Sequence, residues 1–528
     1  MDELTLENVL RRCGDFGRYQ WIHFFFLCII NFSSGITGFY YVFGLAEPAF
    51  RCRLPSNIWS DDDQYKSINA NHQALIDAYL LPSSKCENIN GTSCQNFVYD
   101  RSVYGRTFTE EANFICSNAM KKTWLSTVYQ IGTFTVLVTG PISDRIGRRR
   151  ILQILSLGLY IITGITQVLL QFVKMDVNTK FILLIINQLV SGIDGYGIAF
   201  LLIMELTSSS HTSFAAGLSL VAYPIGECLF TAFAFVSRDW LNLKWLTSAY
   251  FLLTVPYLYF IPESPYWLLS RKKYDQLESA LRKIAKTNGR EETEWYQDYT
   301  KLIEDSIVSK KINNAVNRRK REKILRYLPK LVISGFIEFV TMLLYTQISY
   351  GLGAMNEAVS PYTNFIIGAA VESLGYLVAG LVVITPLGRK YSLITFALLT
   401  SMCVLMIPFT IDSYPVIGTA ISQIGKMAIS GAVAVSWLYV PELFPTSMRG
   451  LANAIFVFIG SFGSILAPIV DTAVGDKYRH IAFYVYAGLT LLLAGLITTL
   501  PETRNRSFDD GEEHDDITLI EDHAELNK

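Results

Sequence analysis

Ionisable side chains inside long apolar stretches are the residues of this sequence best placed to do chemistry. Four acids and one base occupy such positions: Asp194, Glu227, Glu338, Glu372 and Lys426. An ionisable residue at the centre of a bilayer costs about 2.5–3.5 kcal/mol on insertion scales, so it is a functional candidate by default. Because the acids outnumber the base, a binding site built from them favours a cationic or zwitterionic solute.

Each of these residues also has a structural interpretation. Asp194, which has a glycine close on either side, could satisfy the backbone of a kinked helix. Glu227 and Glu338 could each form an ion pair with Lys426 and take no part in binding. The sequence leaves both interpretations open.

Aromatic side chains in the same stretches are a second set of candidates. A cation held against a ring face gains about 0.5–2 kcal/mol, although most aromatic residues of membrane helices serve packing or interface anchoring. The candidates are Tyr40, Tyr129, Tyr223, Tyr345, Tyr350, Tyr376 and Trp437.

A charged motif joins two of the apolar stretches and recurs later in the chain. Gly140-Pro-Ile-Ser-Asp-Arg-Ile-Gly-Arg-Arg149 has glycines that permit a tight turn and close helix contact. Leu387-Gly-Arg-Lys390 repeats its end about 240 residues later. Glu205 and Glu442, each followed by leucine, have nearly the same offset.

A third pair of motifs completes the repeat. Pro262-Glu-Ser264 is repeated by Pro501-Glu-Thr503, again at nearly the same offset. Three motifs at one offset predict two homologous halves, as in transporters built from parallel repeats.

We expect the charges of these motifs to form one ion-pair network that closes the inner gate of a carrier. Its predicted members are Asp144, Arg145, Arg148, Glu205, Glu263, Glu442 and Arg449. In the second half, Thr385 and Pro386 replace Asp144 and Arg145, so the network should be asymmetric.

The composition predicts that all these residues belong to a membrane protein. Of 528 residues, 51% are hydrophobic and only 17% are charged, and the mean hydropathy is positive. This is too much apolar surface for a soluble domain. The formal net charge of -1 implies no nucleic-acid partner.

Apolar stretches near 20 residues, the length that crosses a hydrocarbon core of about 30 Å, predict about twelve membrane helices in an all-α protein. The predicted spans are 21–43, 123–143, 150–173, 180–204, 213–236, 244–262, 331–353, 363–384, 391–411, 415–440, 451–474 and 481–500. The predicted domains are an N-terminus (1–20), a six-helix half (21–262), a basic helical loop (263–330), a second six-helix half (331–500) and an acidic tail (501–528).

Two polar segments orient these spans. Residues 263–330 are rich in Lys and Arg and are cytoplasmic by the positive-inside bias, as is the basic link Arg145–Arg150. Within the first segment, Tyr274–Ala285 has the apolar spacing of an amphipathic helix. Residues 44–122 are then an extracellular loop, and both termini are cytoplasmic.

The extracellular loop has two features of an oxidising, glycosylating compartment. Cys52, Cys86, Cys94 and Cys116 predict two disulfides in one of three connectivities. Asn90, in Asn-Gly-Thr, is a predicted glycosylation site. Both features agree with the orientation that the basic segments indicate.

As a set, these motifs resemble the organic cation, organic anion and carnitine transporter family (solute carrier family 22) of the major facilitator superfamily. The resemblance rests on Cys13–Gln20, Asp144–Arg149, Pro262–Leu269 and Pro441–Thr446, and on the long cysteine-bearing loop. It covers nearly the whole chain. It implies the major facilitator fold and plasma-membrane transport of small organic ions by alternating access.

The resemblance also ranks the site residues. Glu372 lies at, or one residue from, an acid that cation-transporting relatives have in the eighth span. Tyr350 matches the second of a polar or aromatic pair that lines the pocket in relatives. At the position of Ser461, cation carriers characteristically have Asp, and anion or carnitine carriers have Arg. Because serine is neutral, only the net acidity of the spans indicates the substrate charge.

These observations predict a facilitative carrier of organic cations or zwitterions, such as amines and betaine- or carnitine-like solutes. We expect no enzymatic activity, bound cofactor or metal. For a monovalent cation, a membrane potential of about 60 mV could sustain about tenfold accumulation. The alternatives are an organic anion or carnitine-type exchanger that uses Lys426 as its counter-charge, and a non-transporting sensor or trafficking protein with the same fold.

The expected partners are the organic ion and the lipid bilayer, and the carrier is expected to function as a monomer. The tail segment Asp515-Asp-Ile-Thr-Leu-Ile520 has the form of an acidic dileucine signal, which sorting adaptors bind. It predicts a second location in endosomal or vesicular membranes.

Overall fold

The computed structural model describes residues 6–80, 85–193, 195–207, 209–308, 320–351, 360–410, 413–444 and 446–503. Asp194 and the acidic tail beyond Thr503 lie outside the described residues. So do the side chains of Tyr350 and Arg449, whose backbones are helical. The regular elements of the described chain are helices and one two-stranded β-ribbon.

The first predicted span is confirmed as a helix with one interruption. The first described helices are α1 (Leu6–Arg12), α2 (Arg18–Gly38) and α3 (Tyr40–Gly44). Together, α2 and α3 make an apolar span of 27 residues. The segment before them is not a simple tail, because α1 buries Leu6, Val9 and Leu10.

A small domain follows α3, where the sequence predicts an extracellular loop. Its elements are β1 (Phe50–Cys52), α4 (Ala70–Tyr79), β2 (Phe97–Tyr99) and α5 (Phe108–Ala112). The strands pair antiparallel, and disulfides join Cys52 to Cys94 and Cys86 to Cys116. We call this the outer domain; the end of the helix bundle that carries it is the outer end, and the opposite end is the inner end.

A buried ion cluster stabilises the outer domain. Arg51 donates to both carboxylate oxygens of Asp62, at 2.5 and 2.6 Å, and the Leu54 N–H donates to Asp62 at 2.8 Å. His72 Nε2 lies 3.1 Å from Asp62. Burial by itself raises the pKa of Asp62, but the hydrogen bonds from Arg51 and Leu54 and the charge of Arg51 bring that pKa below its usual value.

The remainder of the first half is a helix bundle. Its helices are α6 (Met120–Thr133), α7 (Val136–Ile146), α8 (Arg148–Phe172), α9 (Val177–Gly192), α10 (Tyr196–Leu206), α11 (Ser209–Leu220), α12 (Ala222–Ser237) and α13 (Trp240–Phe260). The second, fourth and fifth predicted spans are therefore each made of two helices. In the fifth, Pro224 lies in the first turn of α12 and has no N–H for the carbonyl of Leu220, which explains the break.

The predicted basic loop forms three helices at the inner end: α14 (Pro265–Ser270), α15 (Tyr274–Thr287) and α16 (Glu292–Val308). The amphipathic helix predicted at 274–285 is confirmed as α15. The N-terminal segment packs against this group, since Arg12 pairs with Asp298 at 2.7 Å.

A turn between α1 and α2 wraps the side chain of Asn288. Its amide donates to the carbonyls of Cys13 and Gly14 at 3.1 and 3.0 Å, and its oxygen accepts from the N–H of Tyr19 at 2.9 Å. Gly14 has a φ of 102°, and a Cβ at Gly14 or Gly17 would collide with Asn288. This packing gives the glycines of the Cys13–Gln20 motif a physical reason.

The second half contains α17 (Lys320–Gly351), α18 (Pro361–Ile384), α19 (Gly388–Thr410), α20 (Pro415–Glu442) and α21 (Thr446–Ile497). The last of these corrects the prediction of two separate helices, because α21 is continuous over 52 residues. It contains both predicted apolar segments, as Ala452–Asp471 and His480–Ile497.

Within the described residues, ten helical segments are long and apolar enough to cross a membrane. They correspond to ten of the predicted spans. The other two predicted spans are occupied by the pair α6 and α7 and by the 21-residue helix α13. The prediction of an all-α membrane protein is therefore confirmed.

Aromatic side chains join the two halves at the outer end. Phe43 of α3 stacks on Tyr362 of α18 with ring centroids 5.1 Å apart, and it contacts Phe365 at the same distance. The Tyr362 hydroxyl donates to the carbonyl of Val103 in the outer domain at 3.2 Å. The halves are thus in contact at the outer end in this conformation.

Candidate functional site

Three of the predicted site residues form one buried ion cluster. The ammonium of Lys426 on α20 lies 3.0 and 3.2 Å from the carboxylate oxygens of Glu227 on α12. It also lies 3.1 Å from Oε2 of Glu372 on α18. All three side chains are fully buried. Because α12 belongs to the first half and α18 and α20 to the second, the cluster joins the two halves.

Tyrosines complete the bonding of Glu372. Its Oε1 accepts from the hydroxyl of Tyr345 at 2.7 Å and from that of Tyr376 at 2.9 Å. The ring centroid of Phe39 lies 5.9 Å from the Lys426 ammonium. The charged groups therefore have aromatic neighbours, which favour an organic cation.

Glycines bring the helices of the cluster close enough for these contacts. A Cβ on Gly35 of α2 would collide with the backbone of α12, and a Cβ on Gly226 of α12 would collide with the carbonyl of Phe32. A Cβ on Gly375 of α18 would likewise collide with the carbonyl of Met427 on α20. These backbone-to-backbone crossings place Glu227 and Glu372 on either side of Lys426.

The cluster holds two carboxylates and one ammonium in a low-dielectric environment. Removing charges from water is costly unless they are paired, so the second carboxylate needs a further positive charge or a proton. A ligand ammonium could supply that charge. The arrangement is therefore chemically suited to a cationic group.

Tyr129 and Tyr223, both predicted site residues, converge near the same region. A Cβ on Gly38 of α2 would lie 2.9 Å from the hydroxyl oxygen of Tyr223 and 3.1 Å from that of Tyr129. The ring of Tyr223 also contacts Phe39, at 6.0 Å between centroids. Phe39 thus links Tyr223 to the aromatic surroundings of Lys426.

Ser461 lies at a second contact between the halves. Its hydroxyl donates to the carbonyl of Val457 at 3.0 Å and lies 3.2 Å from the Thr133 hydroxyl of α6. Beside it, Phe134 packs on Phe462 with centroids 5.0 Å apart. The neutral serine is thus part of a contact between the halves.

Glu338 does not form the predicted ion pair with Lys426. Its Oε1 accepts from the indole N–H of Trp437 at 2.9 Å. Its Oε2 lies 3.2 Å from the hydroxyls of Thr341 and Ser436. The carboxyl group is 1% exposed and its polar neighbours are all neutral. It is therefore a separate feature of the second half.

At the inner end, the first-half motifs form a local cluster around Arg148. Its guanidinium lies 2.8 Å from Asp144 and 3.1 Å from Glu205. Glu263 Oε1 accepts from the N–H groups of Arg148 and Arg149 at 2.9 and 3.2 Å. Glu263 therefore caps the N-terminus of α8, where backbone donors and the helix dipole favour an anion.

The second half repeats this arrangement. Arg389 Nε lies 3.1 Å from Glu442 Oε2. Glu502 accepts from the N–H groups of Arg389 and Lys390, both at 3.0 Å, and so caps α19. A Cβ on Gly388 would collide with the Glu502 carboxylate, as one on Gly147 would with the equivalent glutamate.

Among the described side chains, the charges of the predicted gate form one cluster within each half. Their role in closing an inner gate stays a prediction. The expected asymmetry is limited to Asp144, which pairs with Arg148. In the second half the neutral residue Thr385 occupies the position of Asp144, so this ion pair has no counterpart there. Arg145 is exposed at the surface, and the side chain of Arg449 lies outside the described residues.

Ionisable residues at the ends of the predicted spans, such as Lys244 and Asp471, are absent from the sequence-based candidates. Lys244, at the first position of the sixth span, is 3% exposed. Its ammonium donates to Asn187 and lies 3.8 Å from the ring centroid of Tyr40. Asp471, near the end of the eleventh span, accepts from Gln347 at 3.1 Å. The prediction that Lys426 is the only base in the spans is therefore wrong, and inspecting residues at the span ends would have found both Lys244 and Asp471.

Asn90, the predicted glycosylation site, lies in an exposed turn of the outer domain. Within the ranges that the structure describes, no group of three or more His, Cys, Asp or Glu side chains is arranged to hold a metal ion.

Comparisons with known proteins identify the family. Residues 84–514 match the family described as sugar (and other) transporter. Organic cation transporter 1 of Caenorhabditis elegans is 27% identical over 518 residues, which cover 94% of this chain and 86% of that protein. Organic cation/carnitine transporter 2 of Homo sapiens is 25% identical over 532 residues, which cover 94% and 91% of the two chains.

Solved structures share the fold. The proton:xylose symporter XylE bound to 6-bromo-6-deoxy-D-glucose has a TM-score of 0.61 at 19% identity, covering 94% of this chain and 99% of its own. XylE from E. coli in an inward-open conformation has a TM-score of 0.59 at 17% identity, covering 93% and 99%. These likenesses confirm the predicted major facilitator fold.

Proposed function

The chain belongs to the sugar (and other) transporter family of the major facilitator superfamily, and we propose that it carries small organic cations or zwitterions across a membrane by alternating access. The observation that carries this proposal is the buried cluster of Glu227, Lys426 and Glu372, which lies between the two halves and holds more acid than base. The names of the related organic cation and organic cation/carnitine transporters support the same substrate class.

In this mechanism the Lys426 ammonium occupies the cation position when no substrate is bound. An incoming ammonium group competes with Lys426 for Glu227 and Glu372, and the aromatic ring of Phe39 stabilises the bound charge. When Lys426 separates from Glu227, an ion pair between the halves is lost, so the halves become free to rock. A zwitterion also fits, because its carboxylate pairs with the released Lys426.

The inner-end clusters hold each half together during this motion. Arg148 with Glu205, and Arg389 with Glu442, each bond helices of one half, and Glu263 and Glu502 cap the helices that follow. In our proposal these charges keep each half rigid. Alternating access then takes place at the contacts between the halves.

The anion or carnitine-type exchanger is the weaker candidate. Its counter-charge would be Lys426, but that ammonium is already held by Glu227 and Glu372. An anionic substrate would have to compete with two fixed carboxylates and would be repelled by them. The observed pairing therefore favours a positively charged group on the substrate.

The proposed orientation places the outer domain outside the cell and the inner end in the cytoplasm. The disulfides of the outer domain and the exposed turn at Asn90 support it, because disulfides and N-glycans belong to the extracytoplasmic side. We propose the plasma membrane as the principal location, with the carrier acting as a monomer. Binding of sorting adaptors to the acidic tail and a vesicular pool remain further proposals.

Flux in proteoliposomes that contain only the purified chain tests this function. Radiolabelled quaternary ammonium, primary amine, betaine and carboxylate solutes are compared under one membrane potential. We expect uptake of cations or zwitterions, and we expect unlabelled cation on the opposite side to accelerate it. Uptake of carboxylates alone would establish the exchanger instead, and a lack of flux for every class would favour the non-transporting sensor.

A further inference from the structure

Glu338 is a buried carboxyl group that the proposed binding site does not use. It lies on α17, and a Cβ on Gly460 of α21 would collide with its side chain, so the two helices enclose it. Its three polar neighbours are Trp437, Ser436 and Thr341, and each has a proton to donate. A buried carboxylate without a cation is costly in a low-dielectric environment.

The hydroxyl groups around Glu338 have nearer acceptors than its carboxyl oxygen. The Thr341 hydroxyl lies 2.9 Å from the carbonyl of Ile337, and the Ser436 hydroxyl lies 2.9 Å from the carbonyl of Val433. Both hydroxyls are 3.2 Å from Glu338 Oε2. A hydroxyl has one proton to donate and can accept as well.

Every hydrogen-bond donor around Glu338 has an acceptor if Oε2 of Glu338 carries a proton. Thr341 and Ser436 then donate to backbone carbonyls, and the carboxylic acid of Glu338 donates to one of the two hydroxyl oxygens. An ionised Glu338 would need the hydroxyls to turn away from their nearer carbonyl acceptors. The indole of Trp437 donates to Oε1 in either case. Because an indole N–H can only donate, Trp437 cannot act as a ligand to a metal cation.

Four ionisable residues of α17 and of the helices that pack on it are bonded elsewhere. On α20, Lys426 is held by the carboxylates of the ion cluster, and Glu442 is paired with Arg389. On α21, Asp471 bonds Gln347. On α17 itself, the hydroxyl of Tyr345 bonds Glu372.

Two helices connect Glu338 with the ion cluster through neighbouring residues. Seven residues separate it from Tyr345 on α17, which is two helical turns along the same face. Ten residues separate Ser436 from Lys426 on α20, about 15 Å along the helix axis. Trp437 is half-buried, and its ring contacts Phe200 of α10 in the first half, at 6.2 Å between centroids. A movement that separates the halves therefore changes the surroundings of both sites.

We infer that Glu338 binds and releases a proton in each transport cycle, so that the carrier exchanges an organic cation for a proton. The inference rests on the proposed function. A cation at Glu227 and Glu372 adds positive charge to the same low-dielectric region and so favours loss of the proton from Glu338. By thermodynamic linkage, the proton on Glu338 weakens cation binding to the same extent.

The test uses the full chain in proteoliposomes at zero membrane potential, with radiolabelled tetraethylammonium as the probe. This quaternary ion cannot carry a proton itself. With the interior made acidic, the wild-type chain should accumulate the probe, by up to about tenfold per pH unit for one-for-one exchange. Glu338→Gln should lose this accumulation but keep exchange of labelled for unlabelled probe. Asp471→Asn, an acid-to-amide change in the same half, should behave as the wild type.

Two results in that experiment would overturn the inference. One is accumulation that persists in Glu338→Gln; the other is wild-type exchange of the probe with no response to the proton gradient. A wild-type chain that neither accumulates nor exchanges the probe would instead contradict the proposed function.

Infrared spectroscopy of the detergent-solubilised chain decides the protonation of Glu338 without any flux. The wild-type chain should show the stretching band of a protonated carboxyl group that Glu338→Gln lacks. Ser436→Ala should shift the frequency of this band, which tests the bonding independently if Glu338→Gln folds poorly. An unchanged band in Glu338→Gln would exclude a proton on this residue.

Discussion

Glu227 and Lys426 form an ion pair that joins the two halves of the protein inside its helix bundle. The ammonium of Lys426 lies 3.0 Å from Glu227 Oε1, and both side chains are fully buried. One residue lies on a helix of the first half and the other on a helix of the second. Breaking this pair is therefore linked to any motion of one half against the other.

Removing the ammonium should destabilise the protein. In Lys426→Met, Glu227 and Glu372 remain buried and close together without a counter-charge, and breaking a buried pair in this way costs about 3–5 kcal/mol. We expect a lower thermal unfolding midpoint for purified Lys426→Met in detergent. Adding Glu227→Gln should recover part of the loss, because one of the two unpaired charges is then removed.

The single change Glu227→Gln completes a double-mutant cycle with Lys426→Met, which tests whether the two side chains interact. If the pair contributes no coupling, the effects of Lys426→Met and Glu227→Gln will add within about 0.5 kcal/mol in the double mutant. That result would contradict the ion pair between the halves.

Glu372 should control the uptake of cations. Hydrogen bonds to charged groups contribute about 1.5–3 kcal/mol, so Glu372→Gln should reduce cation uptake roughly tenfold or more. Initial rates are measured at equal surface expression. Tyr376→Phe, which removes one of the two hydroxyls bonded to Glu372, should have a smaller effect. Cation uptake that Glu372→Gln leaves unchanged would show that substrate binds elsewhere.

The inner-end charges should behave as two independent clusters. Arg148 and Glu205 are in contact, so a double-mutant cycle between Arg148→Ala and Glu205→Gln should give a coupling energy of about 0.5–3 kcal/mol in unfolding. The control cycle pairs Arg148→Ala with Glu442→Gln, in different halves, and its effects should add. Strong coupling in the control cycle would support a single network across the halves and contradict two independent clusters.

The disulfide connectivity is directly testable by peptide mapping without reduction. We expect linked peptides that contain Cys52 with Cys94, and Cys86 with Cys116. Removing one native bridge with Cys86→Ser and Cys116→Ser should cost about 2–4 kcal/mol of stability.

The control for this experiment is Cys52→Ser with Cys86→Ser, which leaves one cysteine of each bridge unpaired. Its outer domain should fold less well than that of the variant lacking one complete bridge. A linked peptide that contains Cys52 and Cys86 would contradict the connectivity.

The outer domain should lose stability in acid through Asp62. The pKa of Asp62 is lower in the folded domain than its usual value of about 3.9. Its contribution is therefore fully present above that value and is lost as pH falls toward the lower folded pKa. Protease resistance of the outer domain, measured from pH 5 downward with an acid-stable protease, should decline in the wild type.

Asp62→Asn is the control for this pH dependence. It lacks the titrating group, so its domain should be less resistant at pH 5 and should change less as the pH falls. An identical pH profile in the two proteins would exclude Asp62 as the source.

Hydrophobic length and charge bias made much of the fold predictable. Apolar stretches of about 20 residues predict membrane helices because the bilayer sets their length. The equal offset of the Glu263 and Glu502 motifs predicted two halves, and the structure explains the repeat, since each glutamate caps a helix at the inner end. The helix breaks beside Phe134 and Val221 were not predicted; the second arises from the missing N–H of Pro224 within apolar sequence.

The candidate site was predictable only as a set of residue types. A buried acid is conspicuous in an apolar stretch, so the sequence by itself identified Glu227, Glu338, Glu372 and Lys426. It could not assign their partners, because an ion pair forms only where two helix faces meet, and the paired residues are more than fifty positions apart in the sequence. The tertiary structure alone decided that Lys426 joins Glu227 and Glu372 while Glu338 has neutral neighbours.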